Sequence, residues 1–160
     1  MHTGTENNIK APIEALFSEE EFQRKLVRQV QSPRERILSG TNFRSDFAFE
    51  TTDGGWFFVE DDDPQRALGN FIKYWFWAEH HEIHSYISLV HLIGRCDPGP
   101  TQILEFMQEK AHRALPHFQS IFVFTDSWET EAWIHKFRAA VISLRPFNNH
   151  SPEPGGPRSD

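Results

Sequence analysis

Residues 46–62 read DFAFETTDGGWFFVEDD, and this stretch decides the fold. Asp53 and Gly54 together form a strong signal for a tight turn, and aromatic, β-favouring residues flank them on both sides. We therefore predict two antiparallel strands, over about residues 43–51 and 55–61. Because a hairpin folds back on itself, the acid that opens the stretch and the acids that close it should lie at one end.

The segment before the hairpin carries a helical pattern. Ser18 and Glu21 match a capping box, and Phe22, Leu26 and Val30 follow at a spacing of four. This pattern predicts an amphipathic helix that a proline ends shortly afterwards.

The segments after the hairpin alternate between helix and strand patterns. Asp63 and Pro64 are typical of an N-cap and a first helical residue, and an apolar stripe of Leu68, Phe71, Ile72, Trp75 and Phe76 follows. The further predicted elements are a buried strand over 86–93, a helix over 101–113, a strand over 121–124 and a helix over 128–140. The order α, β-hairpin, α, β, α, β, α predicts an α/β fold, with a mixed sheet flanked by helices.

The length and composition fit one domain. The 160 residues suffice for a single core, and 14% of them are aromatic. We predict a loose terminus over residues 1–10, a single domain over 11–147, and a flexible tail rich in proline and glycine over 148–160.

Charge and cysteine content limit the possible functions. The net charge of -7 argues against a general grip on duplex nucleic acid, although metal-dependent nucleases concentrate carboxylates where they cut. The single cysteine, Cys96, excludes a disulfide scaffold within the chain. Residues 1–10 lack the apolar run of a signal peptide, and no stretch approaches the roughly 20 apolar residues of a membrane span. We therefore expect a soluble, cytoplasmic protein without membrane association.

The candidate chemistry lies in Asp46, Glu60 and Asp62. Side chains alternate along a strand, so Glu60 and Asp62 should share one face while Asp61 points to the other. Three converging carboxylates would repel one another unless a cation lay among them, and Mg²⁺ or Mn²⁺ prefers such oxygen ligands. A metal at this place could polarise a phosphodiester and lower the pKa of an attacking water.

Three motifs resemble the PD-(D/E)xK, or restriction-endonuclease-like, nuclease superfamily. They are Arg44-Ser45-Asp46-Phe47, Phe58-Val59-Glu60-Asp61-Asp62 and Gly69-Asn70-Phe71-Ile72-Lys73-Tyr74-Trp75. The resemblance covers roughly residues 14–125 and implies a restriction-endonuclease-like core with a magnesium-dependent site that hydrolyses DNA. It implies that Asp46 and Glu60 bind the metal.

One position departs from the family pattern. The family usually has lysine where this chain has Asp62, and some members are thought to supply a lysine from the next helix, where Lys73 is the candidate. Lys73 would orient or deprotonate a water, or stabilise charge on the phosphorane. Gln65 lies two turns earlier and could orient a water or a phosphate. A glutamate of the first helix often completes such sites, and three residues compete for that role: Glu14, Glu20 and Glu21.

The leading hypothesis is a metal-dependent nuclease-like domain that cleaves DNA, from a mobile element or a defence system, acting as a homodimer or within a larger assembly. The main alternative is a non-catalytic member of the same fold that serves as a protein-binding or regulatory module. A small-molecule enzyme ranks last, because no glycine-rich phosphate loop and no nucleophile elbow is present.

Several of these residues also have structural interpretations. On this interpretation Asp63 is a helix cap, Lys73 is an ordinary lysine on the polar face of its helix, and Glu60 is a solvated strand end. His80 and His84 suit a helix terminus better than a zinc pair, and His91 suits a core histidine with a satisfied hydrogen bond.

Overall fold

The computed structural model describes residues 6–30, 45–80, 85–94 and 98–148. In chain order the helices and strands are α1 (Glu6–Ser18), α2 (Glu20–Gln23), β1 (Leu26–Val30), β2 (Phe47–Thr51), β3 (Trp56–Asp62), α3 (Pro64–His80), β4 (Ile87–Ile93), α4 (Pro98–Ala114), β5 (Phe118–Phe124) and α5 (Ala132–Ser143).

The strands of the described residues form one mixed sheet in the order β1-β2-β3-β4-β5. The first three strands pair antiparallel, and β3, β4 and β5 pair parallel. Parallel neighbours need a crossover connection, and α3 and α4 provide it. The predicted mixed sheet with flanking helices is therefore confirmed, and so is the hairpin of β2 and β3, whose turn holds Gly54 at a φ of 83°.

The helices cover both faces of the sheet. Phe57 and Val59 of β3 belong to one core cluster together with side chains of α1 and α5. Phe58 points to the other face and packs with side chains of α3, including Phe71 and Tyr74. Because both faces are covered, β3 and β4 are buried along nearly their whole length, as the continuous apolar run of β4 predicts for that strand.

The predicted helix from Ser18 to Val30 is wrong beyond Gln23. Residues Leu26–Val30 form β1, which pairs with β2 at the edge of the sheet. Ser18 does not cap a helix there, because its hydroxyl donates to the Glu14 carbonyl at 2.6 Å. A spacing of four apolar residues suits a helix, but pairing with β2 satisfies the backbone of this segment, and tertiary pairing outweighs local pattern.

Residues 6–10, predicted as part of a loose terminus, form the start of α1 instead. Ile9, Ile13, Leu16 and Phe17 recur at helical spacing, and all four are buried against the sheet. The helices later in the chain differ only in their bounds, since α4 begins three residues before Thr101 and α5 begins at Ala132.

The cap of α3 is as predicted, but its buried face is turned. The Asp63 carboxylate accepts hydrogen bonds from the backbone N–H of Gln65 and of Arg66, each at 2.9 Å. Ile72 and Phe76 of the predicted stripe are about half exposed. The face that packs on the sheet consists of Ala67, Phe71, Tyr74, Trp77 and Ala78.

Some predictions fall on residues outside the described ranges. These are the loose segment over 1–5, Arg44 of the first motif, His84 of the histidine pair, Cys96, and all of the predicted tail beyond Asn148. Among the helices that the structure does describe, none has both the length and the apolar character needed to cross a bilayer.

Two glycines give a matched test of this fold. A Cβ at Gly55 would collide with the backbone carbonyl oxygen of Tyr86, whereas a Cβ at Gly69 would meet no atom within 4 Å. We expect Gly55→Ala to lower the free energy of unfolding by about 2–4 kcal/mol. Gly69→Ala should raise it by about 0.5–1 kcal/mol, because alanine favours the helix. Urea denaturation measures both changes, and equal effects at the two positions would contradict the close approach of the Tyr86 carbonyl oxygen to Gly55.

Candidate functional site

The hairpin brings Asp46 and Glu60 together. The register pairs Phe47 with Val59, so the residues just outside this pair, Asp46 and Glu60, lie at the same end of the hairpin. The backbone N–H of Asp61 donates to Asp46 Oδ2 at 2.8 Å. The predicted juxtaposition of these acids is thus present.

Glu60 is a buried carboxyl group in a negative environment. Its side chain lies on the α3 face of the sheet, and the residue is 4% exposed. Burial, followed by the charge of Asp46, raises the pKa of Glu60 to about 9, and the charge of Asp62 adds to this. The Tyr74 hydroxyl donates to Glu60 Oε1, which opposes the rise only in part. Glu60 therefore holds a proton at neutral pH.

Asp46 shares this proton. The residue is exposed overall, but the neighbouring protein atoms remove water from its carboxylate, and this burial raises the pKa of Asp46. Hydrogen bonds from the Asp61 N–H and from Glu60 lower the same pKa in part. Because Glu60 retains its proton beside Asp46, a divalent cation that displaced this proton would offset the repulsion between the two carboxylates.

Tyr74 supports Glu60 from α3. The residue is 1% exposed, and burial followed by the charge of Glu60 raises its pKa well above the ordinary value. The phenol therefore stays neutral and acts as a hydrogen-bond donor, which orients Oε1 of Glu60.

Asp62 has a different environment from Glu60, although both point to the same face. Asn70 Nδ2 lies 2.8 Å from each oxygen of Asp62. His91 Nε2 lies 2.5 Å from Asp62 Oδ2. Asp62 is thus a buried carboxylate with donors from both α3 and β4.

The spacing of strand and helix explains why the two acids find separate partners. Two residues of a strand advance about 6.6 Å, and four residues of a helix advance about 6 Å. Because α3 runs back along β3, Asp62 meets Asn70 while Glu60 meets Tyr74.

His91 is a core histidine, as predicted. It is fully buried in β4, directly opposite Glu60 in the parallel ladder. Its Nε2 must carry a proton to bond a carboxylate, and its Nδ1 has no hydrogen-bond partner among the described residues. The Nε2–H of His91 therefore donates to Asp62 Oδ2.

Lys73 and Gln65 are both exposed residues of α3. Lys73 Nζ donates to Asn70 Oδ1 at 3.3 Å, and Asn70 is also the residue that donates to Asp62. Gln65 lies in the first turn, where its backbone N–H contributes to the cap by Asp63.

The three glutamates near the amino terminus have other surroundings. Glu20 pairs with Arg24 at 2.7 Å, and Glu21 pairs with Arg138 at 2.5 Å. Glu14 alone of the three lies on α1, where it lines a cavity of about 390 Å³ between the helix and the first two strands.

The donor set suits a hard divalent cation at Asp46 and Glu60. Within the described ranges, no group of three or more His, Cys, Asp and Glu side chains is arranged to hold a metal ion. Mg²⁺ commonly binds through one or two carboxylates and keeps its remaining positions for water and substrate phosphate. A buried, proton-sharing carboxyl pair fits that mode of binding.

The sequence predicts His91 only as a core residue and gives Asn70 and Tyr74 no individual role in the site. Asn70 and Tyr74 belong to the helical motif quoted for the resemblance, and their spacing of four was the available signal. Nothing in the apolar run of β4 marks His91 as a partner of Asp62.

Comparison of the chain with protein-family models, with curated proteins and with solved structures gives no match.

The carboxyl pair predicts an unusual dependence of stability on pH. Between pH 4.5 and about 9 the unfolded chain has released the Glu60 proton while the folded protein retains it, so stability falls as pH rises. Glu60→Gln replaces the protonated acid by a neutral isostere. We expect it to raise the free energy of unfolding at pH 8 by roughly 2–4 kcal/mol.

Urea denaturation at pH 5, 6, 7 and 8 tests this. The profile of Glu60→Gln should be flatter than that of the wild type, and the two should converge near pH 5. The control Glu105→Gln alters an exposed residue of α4 and should follow the wild type. Parallel profiles for wild type and Glu60→Gln would show that Glu60 does not hold its proton.

Proposed function

We propose that this protein is a metal-dependent phosphodiester hydrolase with a restriction-endonuclease-like core, acting on DNA. The proposal is carried by the pair of Asp46 and Glu60, which the hairpin places side by side, and in which burial and then the charge of Asp46 raise the pKa of Glu60 to about 9. Perturbed carboxyl groups of this kind concentrate at functional sites.

The order of elements supports the assignment of the core. The first acid precedes β2, the second lies near the end of β3, and α3 with the Asn70 motif follows before the buried strand β4. This is the order that the resemblance to PD-(D/E)xK nucleases implies.

Asp46 and Glu60 would hold Mg²⁺ or Mn²⁺. The cation supplies polarisation of the phosphodiester and a water of lowered pKa. Tyr74 orients Glu60, and Asp61 fixes Asp46 through its backbone N–H. These contacts come from regular secondary structure, which keeps the two acids in place before a cation arrives.

Lys73 would lie beside the reacting phosphate and supply a positive charge there. Asp62 stands where the family usually has lysine, and Lys73 reaches the neighbourhood of Asp62 through Asn70. Its ammonium would stabilise the charge that develops on the phosphoryl oxygens. Gln65, exposed in the first turn of α3, is the proposed contact to a substrate phosphate or water.

DNA as the substrate, an origin in a mobile element or defence system, and action as a homodimer rest on the resemblance alone. The net charge of -7 opposes tight binding of duplex DNA. We therefore expect DNA affinity to depend on the divalent cation and on the few cationic side chains near the site.

A non-catalytic binding module of the same fold is the second candidate. The net charge and the acid at the usual lysine position favour it. In that case Glu60 would be a buried, protonated residue of the core without a cation, and the partner would be a protein.

Calorimetric titration of Mn²⁺ tests the metal site. At pH 7.5 we expect one site in the wild type, with release of about one proton per cation, because binding displaces the shared proton. Titration in two buffers of different ionisation enthalpy measures that release. Glu60→Gln and Asp46→Asn should lose the site, and Glu105→Gln should keep it. Equal affinity in the wild type and Glu60→Gln would contradict the assignment of the ligands.

Cleavage assays with the same variants test the activity. Plasmid and single-stranded DNA should be cut by the wild type with Mg²⁺ or Mn²⁺, and Glu60→Gln should reduce the rate by about 100-fold or more. Urea denaturation of each variant checks that it is folded. A wild type that neither binds Mn²⁺ nor cuts DNA would favour the non-catalytic module.

A further inference from the structure

Asp62 is held by hydrogen bonds that direct its oxygens into the protein. The residue is 9% exposed, its Oδ1 faces Asn70, and its Oδ2 faces both Asn70 and His91. A ligand of a solvated cation needs oxygens turned toward the cation and its waters. The oxygens of Asp62 instead accept hydrogen bonds from Asn70 and His91.

The charge of Asp62 determines how Asn70 is oriented. A carboxylate only accepts hydrogen bonds, so the amide group of Asn70 must present its Nδ2 to Asp62. Its Oδ1 then points away, and Lys73 Nζ donates to that oxygen at 3.3 Å. A flipped amide would place oxygen against oxygen at Asp62 and nitrogen against the ammonium of Lys73.

His91 holds Asp62 from the other side. It lies on β4, whose parallel ladder with β3 runs from Trp56 to Asp62. Its ring is fully buried and packs against Phe122 at a centroid distance of 5.8 Å. Asp62 is thus anchored to a strand as well as to a helix, and this removes its freedom to rotate toward a cation.

We infer that Asp62 is a positioning residue, which holds the Lys73 ammonium beside the acid pair through Asn70, and that it is not a ligand of the cation. As a statement about catalysis this rests on the proposed function. The chain of contacts runs from Lys73 to Asn70 and from Asn70 to Asp62, with His91 as the second anchor.

This role explains the departure from the family pattern. Where the family usually has a lysine on the strand, Asp62 provides a fixed negative end to which a lysine on the helix is connected. Lys73 precedes Tyr74, the residue that holds Glu60, so the same turn of α3 positions an ammonium and the acid pair. A displacement of about 1 Å in such a group can cost 100-fold in rate.

Metal affinity separates a positioning residue from a ligand. We expect Asn70→Leu to bind Mn²⁺ with an affinity within about threefold of the wild type, and Asp62→Asn within about tenfold because it removes a nearby charge. Glu60→Gln should lose at least about 100-fold. Loss of Mn²⁺ binding in Asp62→Asn to the extent seen in Glu60→Gln would overturn the inference.

Kinetics of the metal-loaded protein test whether the contacts act as a unit. Asn70→Leu and Lys73→Met should each lower kcat by about 10- to 100-fold with little change in KM. The double variant should be no slower than Lys73→Met, since removal of the lysine leaves Asn70 nothing to position. Additive losses would show that Asn70 does not act through Lys73.

A measurement on the protein without metal or DNA keeps the two proposals distinguishable. Carbon-13 NMR relaxation at the ε-methylene should show Lys73 to be more ordered than Lys110, an exposed lysine of α4. In Asn70→Leu and Asp62→Asn the order of Lys73 should fall to that of Lys110. If the wild type neither binds Mn²⁺ nor cuts DNA, the proposed function fails, and this comparison still decides whether Asp62 anchors Lys73. Unchanged order in both variants would overturn the anchor.

Discussion

The burial of Glu60 is the constraint on which the candidate site depends. The apolar run of β3 continues inward until Glu60, so the strand that builds the core also carries a carboxyl group into it. A charge at that place would be costly, and the Glu60 carboxyl group retains its proton instead. It lies between the Tyr74 hydroxyl, which donates to it, and the neighbouring Asp46.

The distinction between Glu60 and Asp62 follows from what lies across from each. Both point to the α3 face of one strand, yet Glu60 meets a neutral phenol and a second acid, whereas Asp62 meets an amide and an imidazole. One carboxyl group therefore retains its proton, and the other is enclosed by donors. Two acidic residues two positions apart acquire different environments because α3, which packs against this face, presents a different partner to each.

The departures from the sequence-based expectations have a common cause. Residues 26–30 carry a helical spacing, but they pair with the edge of the hairpin because the sheet offers partners for their backbone. In α3 the apolar stripe suggests that Ile72 and Phe76 face the core. Tyr74 faces the core instead, because Glu60 provides a hydrogen-bond partner for its hydroxyl. In both cases a long-range contact outweighs a local pattern.

The amino-acid sequence alone predicts the hairpin, the buried strands, the cap of α3 and the meeting of Asp46 with Glu60. These features depend on interactions between residues close in the chain: a turn signal, alternation along a strand, and a side chain that bonds the next N–H groups. The packing of α3 and β4 on β3 is what makes Tyr74 donate to Glu60 and lets Asn70 and His91 enclose Asp62. Those contacts join residues of separate elements that no turn signal connects, and they arise only when α3 and β4 have packed on β3.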